Sequence, residues 1–111
     1  AHERFSTPAE FGGDVPVAPL TAEEVVGGAP SAGSVALATV GETEVGVWRM
    51  TAGVATDVEV DEVFVVLSGR ATIRFAGGET VDVAPGDLVT LRAGERTEWT
   101  VHGTLTKLYV A

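Results

Sequence analysis

The sequence predicts an all-β fold, and three observations carry that prediction. Valine occurs 19 times and threonine 13 times in 111 residues, against one isoleucine and one lysine. Side chains branched at Cβ are stiff at χ1 and suit a pleated surface. Turn signals fall at Gly41, Gly53, Gly69, Gly77-Gly78, Pro85-Gly86, Gly94 and His102-Gly103, the later ones about 8 or 9 residues apart. Between them, apolar and polar residues alternate, as they do along half-buried strands. A chain of this length supports one core, built here from about eight strands.

The elements follow in order. Residues 1–34 hold four of the five prolines and read as an irregular N-terminal arm, with one short turn at Thr21-Ala22-Glu23-Glu24, which has capping-box spacing. Residues 35–111 form the barrel. In Val45–Met50, Trp48 and Met50 share a face. In Arg70–Phe75, Ala71, Ile73 and Phe75 point inward. Gly77-Gly78 reads as a two-residue hairpin loop leading to Glu79–Val83, with Val81 and Val83 inward. Ala84-Pro85-Gly86-Asp87 has the residues of a type II turn. In Glu95–His102, Thr97, Trp99 and Val101 point inward. In Leu105–Val110, Lys107 and Tyr109 share a face, but the opposite face is at least as apolar, so parity leaves their direction open.

The segment from Asp57 to Phe64 is the chemically informative one. If it is extended throughout, Asp57, Glu59 and Asp61 form a solvated stripe. Val58, Val60, Glu62 and Phe64 then lie on the inner face, where Glu62 alone interrupts the apolar run. A carboxylate on such a face is costly unless paired or hydrogen-bonded. Glu62 is therefore either a functional acid or one arm of an ion pair with an arginine at the rim.

Composition removes several function classes. Seven basic against 16 acidic side chains give a formal charge of −9, which opposes binding to nucleic acid or to an anionic membrane surface. No cysteine is present, which excludes disulfides and thiolate chemistry. Phosphate loops, nucleophile elbows and histidine triads are missing, and the two histidines are His2 and His102. The expected setting is cytoplasmic, since neither a membrane-spanning run nor a signal-peptide layout occurs.

Two motifs resemble those of the cupins. Glu62, six residues and Gly69, inside DEVFVVLSGRATI, match the end of the first cupin motif. Gly86 to Thr97, with Gly94 in register, match the second. The likeness spans about residues 45–110. It is narrower for the small cupins grouped with ureidoglycine aminohydrolase and the ethanolamine-utilisation cupin, through Gly46-Val47-Trp48, Asp61-Glu62, Leu67-Ser68-Gly69, Trp99 and Lys107-Leu108-Tyr109-Val110. This resemblance implies a single double-stranded β-helix, or jelly-roll barrel, with an internal small-molecule pocket and a tendency to form homodimers.

The departures from the motifs bear on chemistry. The first-motif histidines fall on Thr56 and Val58, or on Ala55 and Asp57, depending on the spacing used. The second-motif histidine position is Thr97. Of the four usual metal ligands only Glu62 remains, and one carboxylate holds a transition metal poorly. No cofactor is expected. A hard divalent cation held by Asp57, Glu59 and Asp61, were that segment a loop, is the alternative. The expected catalytic residues are Glu62, Lys107 and Tyr109, and the expected ligand-binding residues are Trp48, Thr56, Val58, Phe64, Thr97 and Trp99. The activity reading is metal-independent hydrolase or isomerase chemistry on a small metabolite. Its competitors are a non-catalytic binding or sensing module and a structural dimer subunit.

Overall fold

The computed structural model describes residue 4 and residues 13–111. Nine strands make up the described fold, with no helix among the described residues. They are β1 (Ala18–Pro19), β2 (Val25–Gly27), β3 (Ser31–Val40), β4 (Thr43–Met50), β5 (Gly53–Val58), β6 (Glu62–Phe75), β7 (Thr80–Val83), β8 (Leu88–Leu91) and β9 (Arg96–Val110). Every pairing is antiparallel.

Two long strands organise the rest. The first half of β9 pairs with β5, from Arg96↔Val58 to Val101↔Gly53. Its second half pairs with β4, from Leu105↔Met50 to Val110↔Val45. The other edge of β9 pairs with β6 along almost its full length. β6 itself divides: Glu62–Val65 pair with β8, and Ala71–Arg74 with β7. Both strands therefore pass from one layer to another. One layer runs β1-β3-β4-β9-β6-β8, and the other β2-β5-β9-β6-β7.

The bend needs a glycine. Gly69 has φ +84°, and a Cβ there would collide with the backbone of Thr104 and Leu105 on the facing strand. Only a residue without Cβ adopts this conformation in this space without strain. The register of β6 against β9 slips on both sides of this point, the mark of a β-bulge that turns the sheet. The two layers enclose a core of Met50, Phe64, Val66, Ile73, Val83, Leu91, Trp99, Val101 and Leu105, with Phe75 and Val81 packed against it. The inward assignments for β4, β6 after Glu62, β7 and β9 agree with side-chain parity.

Local chemistry explains the turns. Asp87 N–H donates to the Ala84 carbonyl at 3.0 Å with Gly86 at φ +92°, as a type II turn requires. The β6–β7 hairpin differs from the expected two-residue loop. Phe75 N–H donates to Glu79 and Gly78 N–H to Phe75, which closes three residues with Gly78 at φ +101°. That is a tight turn followed by a glycine bulge.

Residues 13–34 are less irregular than expected. Within them β1 pairs with the start of β3, β2 pairs with β5, and β3 already begins at Ser31. The Thr21–Glu24 segment is a turn: Thr21 Oγ1 donates to Glu24 Oε1 at 2.8 Å, and Glu24 N–H to the Thr21 carbonyl at 3.0 Å. His2 lies outside the described residues.

Candidate functional site

The Asp57–Phe64 segment is not extended throughout, and this corrects the sequence reading. β5 ends at Val58 and β6 begins at Glu62. Between them Glu59 is clasped to the β8–β9 turn: its N–H donates to the Glu95 carbonyl at 2.8 Å, and its carbonyl accepts from Gly94 N–H at 2.9 Å. The break reverses the parity upstream. Val58 and Val60 are 55% and 58% exposed, whereas Glu59 is buried. Ala55 and Asp57 are thus the inward residues of β5, and Thr56 and Val58 are not. Thr56 remains at the cavity rim and donates to the Glu24 carbonyl. Val58 lies in a shallow outer groove with Arg74 and Arg96, on the far side of the sheet.

An internal cavity of about 310 Å³ opens between the layers. Trp48 of β4, Trp99 of β9, Met50 and Leu20 supply its apolar walls. Its charged groups are Glu24, Asp57, Glu59, Glu62 and Lys107, four carboxylates and one ammonium. Tyr109 also lines it.

Lys107 and Glu62 meet in this cavity. Nζ donates to Glu62 Oε2 at 2.6 Å, and the two side chains are 7% and 12% exposed. The partner of Glu62 is therefore this lysine and not an arginine at the rim. The open question about the direction of β9 is answered inward: Trp48 pairs in register with Lys107, and Gly46 with Tyr109. The ammonium also sits 4.7, 4.3 and 4.9 Å from the ring centroids of Trp48, Phe64 and Trp99. Those rings pack tilted on one another, with centroids 5.7 Å apart for Trp48–Trp99 and 5.6 Å for Phe64–Trp99. Phe64 stands behind the lysine in the core and is not part of the cavity wall.

Glu59 is a site residue that parity missed. Its Oε2 accepts from Thr97 Oγ1 at 2.6 Å and from Trp99 Nε1 at 3.0 Å. One signal pointed to it: Thr97 and Trp99 both face inward with donors that need an acceptor once buried. Tyr109 shows the same need. Its hydroxyl donates to Glu44 Oε2, and Glu44 is fixed by reciprocal backbone bonds to Ala111 at 2.7 and 2.9 Å. Gly46 makes this possible, because a Cβ there would overlap the Tyr109 phenol.

Two groups are displaced from their ordinary protonation ranges. Partial desolvation, then the neighbouring Glu59 charge, raise the Asp57 carboxyl even though the residue keeps a solvent-exposed edge. Burial, then the Glu44 carboxylate that accepts its hydrogen bond, raise the Tyr109 phenol. Tyr109 is therefore a neutral donor across the physiological range.

The residues do not fit a cupin metal. The inward first-motif positions are Ala55 and Asp57, Thr97 donates to Glu59, and Glu62 is salt-bridged to Lys107. Asp57, Glu59 and Asp61 do not converge either: Asp57 lies at the cavity, Glu59 holds Thr97 and Trp99, and Asp61 accepts from Ala93 N–H at 2.9 Å. No group of three or more potential ligands that could hold a metal ion occurs among the described residues. His102 faces away from the cavity and contacts Thr72 Oγ1.

Comparison with known proteins agrees with this architecture. A structural-genomics protein of unknown function from Rhizobium leguminosarum is 28% identical, with a TM-score of 0.65 over 71% of this chain and 78% of that one. The EutQ protein of Clostridium difficile is 21% identical, with a TM-score of 0.63 over 73% of this chain and 67% of that one. A protein of unknown function from Pseudomonas syringae pv. tomato is 23% identical, with a TM-score of 0.75 over 86% of this chain and 43% of that one. No curated protein matches the chain. The family model for the EutQ-like cupin domain matches residues 37–109, which takes in both motifs and the cavity-lining residues of β4, β5, β6 and β9, and the chain belongs to that family.

Proposed function

We propose that the cavity receives a small organic cation with an apolar body. One observation carries this reading: four carboxylates and one ammonium share a tryptophan-walled space of about 310 Å³. The ammonium is already matched by Glu62, so the remaining field is negative. Trp48 and Trp99 supply apolar area for the ligand's body; since both rings already hold the Lys107 ammonium, the unmatched carboxylates supply the preference for a cation over a neutral molecule. Glu59 gives only Oε2 to its two protein donors, and Asp57 gives Oδ1 to Val58 N–H, which leaves Glu59 Oε1 and Asp57 Oδ2 for a ligand N–H or onium group. Titration calorimetry with ethanolamine, choline, acetate and glucose tests this. Saturable binding of the cations alone supports it; preference for acetate or glucose contradicts it.

A second reading adds chemistry at the same place. Glu62 and Lys107 form an acid–base pair on the cavity wall, with the Tyr109 phenol as a neutral donor nearby. NMR of each bound cation over time separates the readings. A ligand that binds and persists unchanged identifies a binding or sensing module. Conversion that Glu62→Gln slows by about 100-fold or more identifies an enzyme.

A homodimer is proposed from the outer face of the β4-β9-β6-β8 layer. Val63 pairs with Val110, and its neighbour Val65 with Leu88; Val63, Leu88 and Val110 are 36%, 68% and 37% exposed. Exposed apolar residues side by side on one sheet face favour association about a two-fold axis. Light scattering checks this, and a monomer at micromolar concentration contradicts it.

A further inference from the structure

We propose that Lys107 captures carbonyl compounds, forming an iminium with a small aldehyde or ketone admitted to the cavity. The proposal goes beyond cation binding and does not depend on it. Lys107 is the sole lysine of the chain, and it is 5% exposed. It lines an internal space rather than lying sealed in the core. A proton acceptor, Glu62 Oε2, stands 2.6 Å from its nitrogen. An amine that faces a cavity with an acid–base partner at hydrogen-bond distance has the parts of covalent amine catalysis.

Lys107 passes one proton to Glu62 and becomes a neutral amine. The amine lone pair attacks the carbonyl carbon, and the carbonyl π electrons move to oxygen. Loss of a second proton from nitrogen and protonation of that oxygen give a neutral carbinolamine. Glu62 then returns a proton to the hydroxyl group, and the C–O bond breaks with loss of water. The nitrogen lone pair forms the C=N bond. The sum is ammonium plus carbonyl to iminium plus water, with no oxidant or reductant.

The surroundings suit the product as well as the resting state. An iminium carries the same positive charge on the same nitrogen as the ammonium. The attraction to Glu62 and the three ring contacts at 4.3–4.9 Å therefore persist through the reaction. The rings also cover part of the nitrogen's surroundings, which limits the approach of water and opposes hydrolysis of the iminium. A surface lysine has neither feature. The excess of cavity carboxylates selects neutral or cationic carbonyl compounds over keto acids.

Reductive trapping tests the proposal in the intact protein. The folded chain is treated with propanal and sodium cyanoborohydride near neutral pH, and N-propylation of Lys107 is followed by peptide mass spectrometry. The same reaction in guanidinium chloride, where Lys107 is an ordinary lysine, is the reference, and the α-amino terminus calibrates reagent exposure. The expected result is labelling of the folded chain about tenfold or more faster than of the unfolded chain. In Glu62→Gln, checked for folding by circular dichroism, this advantage falls about tenfold or more. A purely structural lysine would be protected by folding, so labelling of the folded wild type no faster than the unfolded chain overturns the proposal without any variant.

Discussion

At the residue scale, the Lys107 ammonium has a carboxylate and three aromatic faces around it, and these two kinds of partner predict an asymmetry. Removing one arm of a buried ion pair costs about 3–5 kcal/mol, because the other arm stays desolvated. In Glu62→Ala the ammonium keeps its rings. In Lys107→Ala the mostly buried carboxylate loses the ammonium that pairs with it, and the rings that surrounded that ammonium offer it no positive charge. Lys107→Ala is therefore expected to be the more destabilising by about 1–2 kcal/mol, measured by denaturant unfolding. Asp57 gives a second residue-scale prediction, with the sign set by its raised carboxyl. The folded state holds this proton more tightly than the unfolded state, so stability falls as pH rises through and above the ordinary aspartate range. Asp57→Asn is expected to melt at a higher temperature than wild type at neutral pH. Thermal melts should show the gap closing in acid, below the ordinary aspartate range. The same substitution should weaken cation binding, opposite in sign to its effect on stability. Side-chain parity gave the inward direction of Trp48, Glu62, Phe64, Thr97 and Trp99, of which Trp48, Glu62 and Trp99 line the cavity. It could not reach Glu59, whose direction is set by backbone bonds to a turn more than thirty residues away.

At the scale of elements, the informative place is the junction between β5 and β6. Alternation along Asp57–Phe64 looks continuous in sequence, yet three residues break it, and each residue upstream changes face. The strand assignments after Val45 and the type II turn were legible because glycine, proline and period-two patterning act locally. The strands in residues 18–34 were not, because β1 and β2 are two and three residues long and exist through pairing with β3 and β5. Gly46 gives the prediction at this scale. A methyl group there would overlap the Tyr109 phenol, so Gly46→Ala is expected to push Tyr109 from Glu44 into the cavity. Unfolding measurements should show a loss of about 1–3 kcal/mol, typical of strain in a packed site. Cation affinity measured by calorimetry should fall as well, although Gly46 touches no ligand.

At the scale of the whole molecule, the charge of −9 has two destinations. Much of it is spread over the surface, and the rest is gathered around an apolar cavity, where low-dielectric walls strengthen its field. Raising ionic strength should therefore weaken cation binding only in part, since a screened surface acts through the Debye length and an enclosed carboxylate much less. The jelly-roll barrel was legible from two motifs in the right order, and the loss of metal ligands from the residues at their positions. What fills that loss, a lysine salt-bridged to the one retained acid, needed the fold to bring residues 62 and 107 together. Both tryptophans of the chain line the cavity, so intrinsic fluorescence reports on it directly. The decisive measurement is a fluorescence titration with choline and with its neutral carbon isostere, 3,3-dimethylbutan-1-ol. A saturable change with choline and at least about tenfold weaker binding of the isostere is predicted, as a cation held among enclosed carboxylates requires. Equal affinity for the two, or no saturable change with choline, would contradict a cavity built for organic cations.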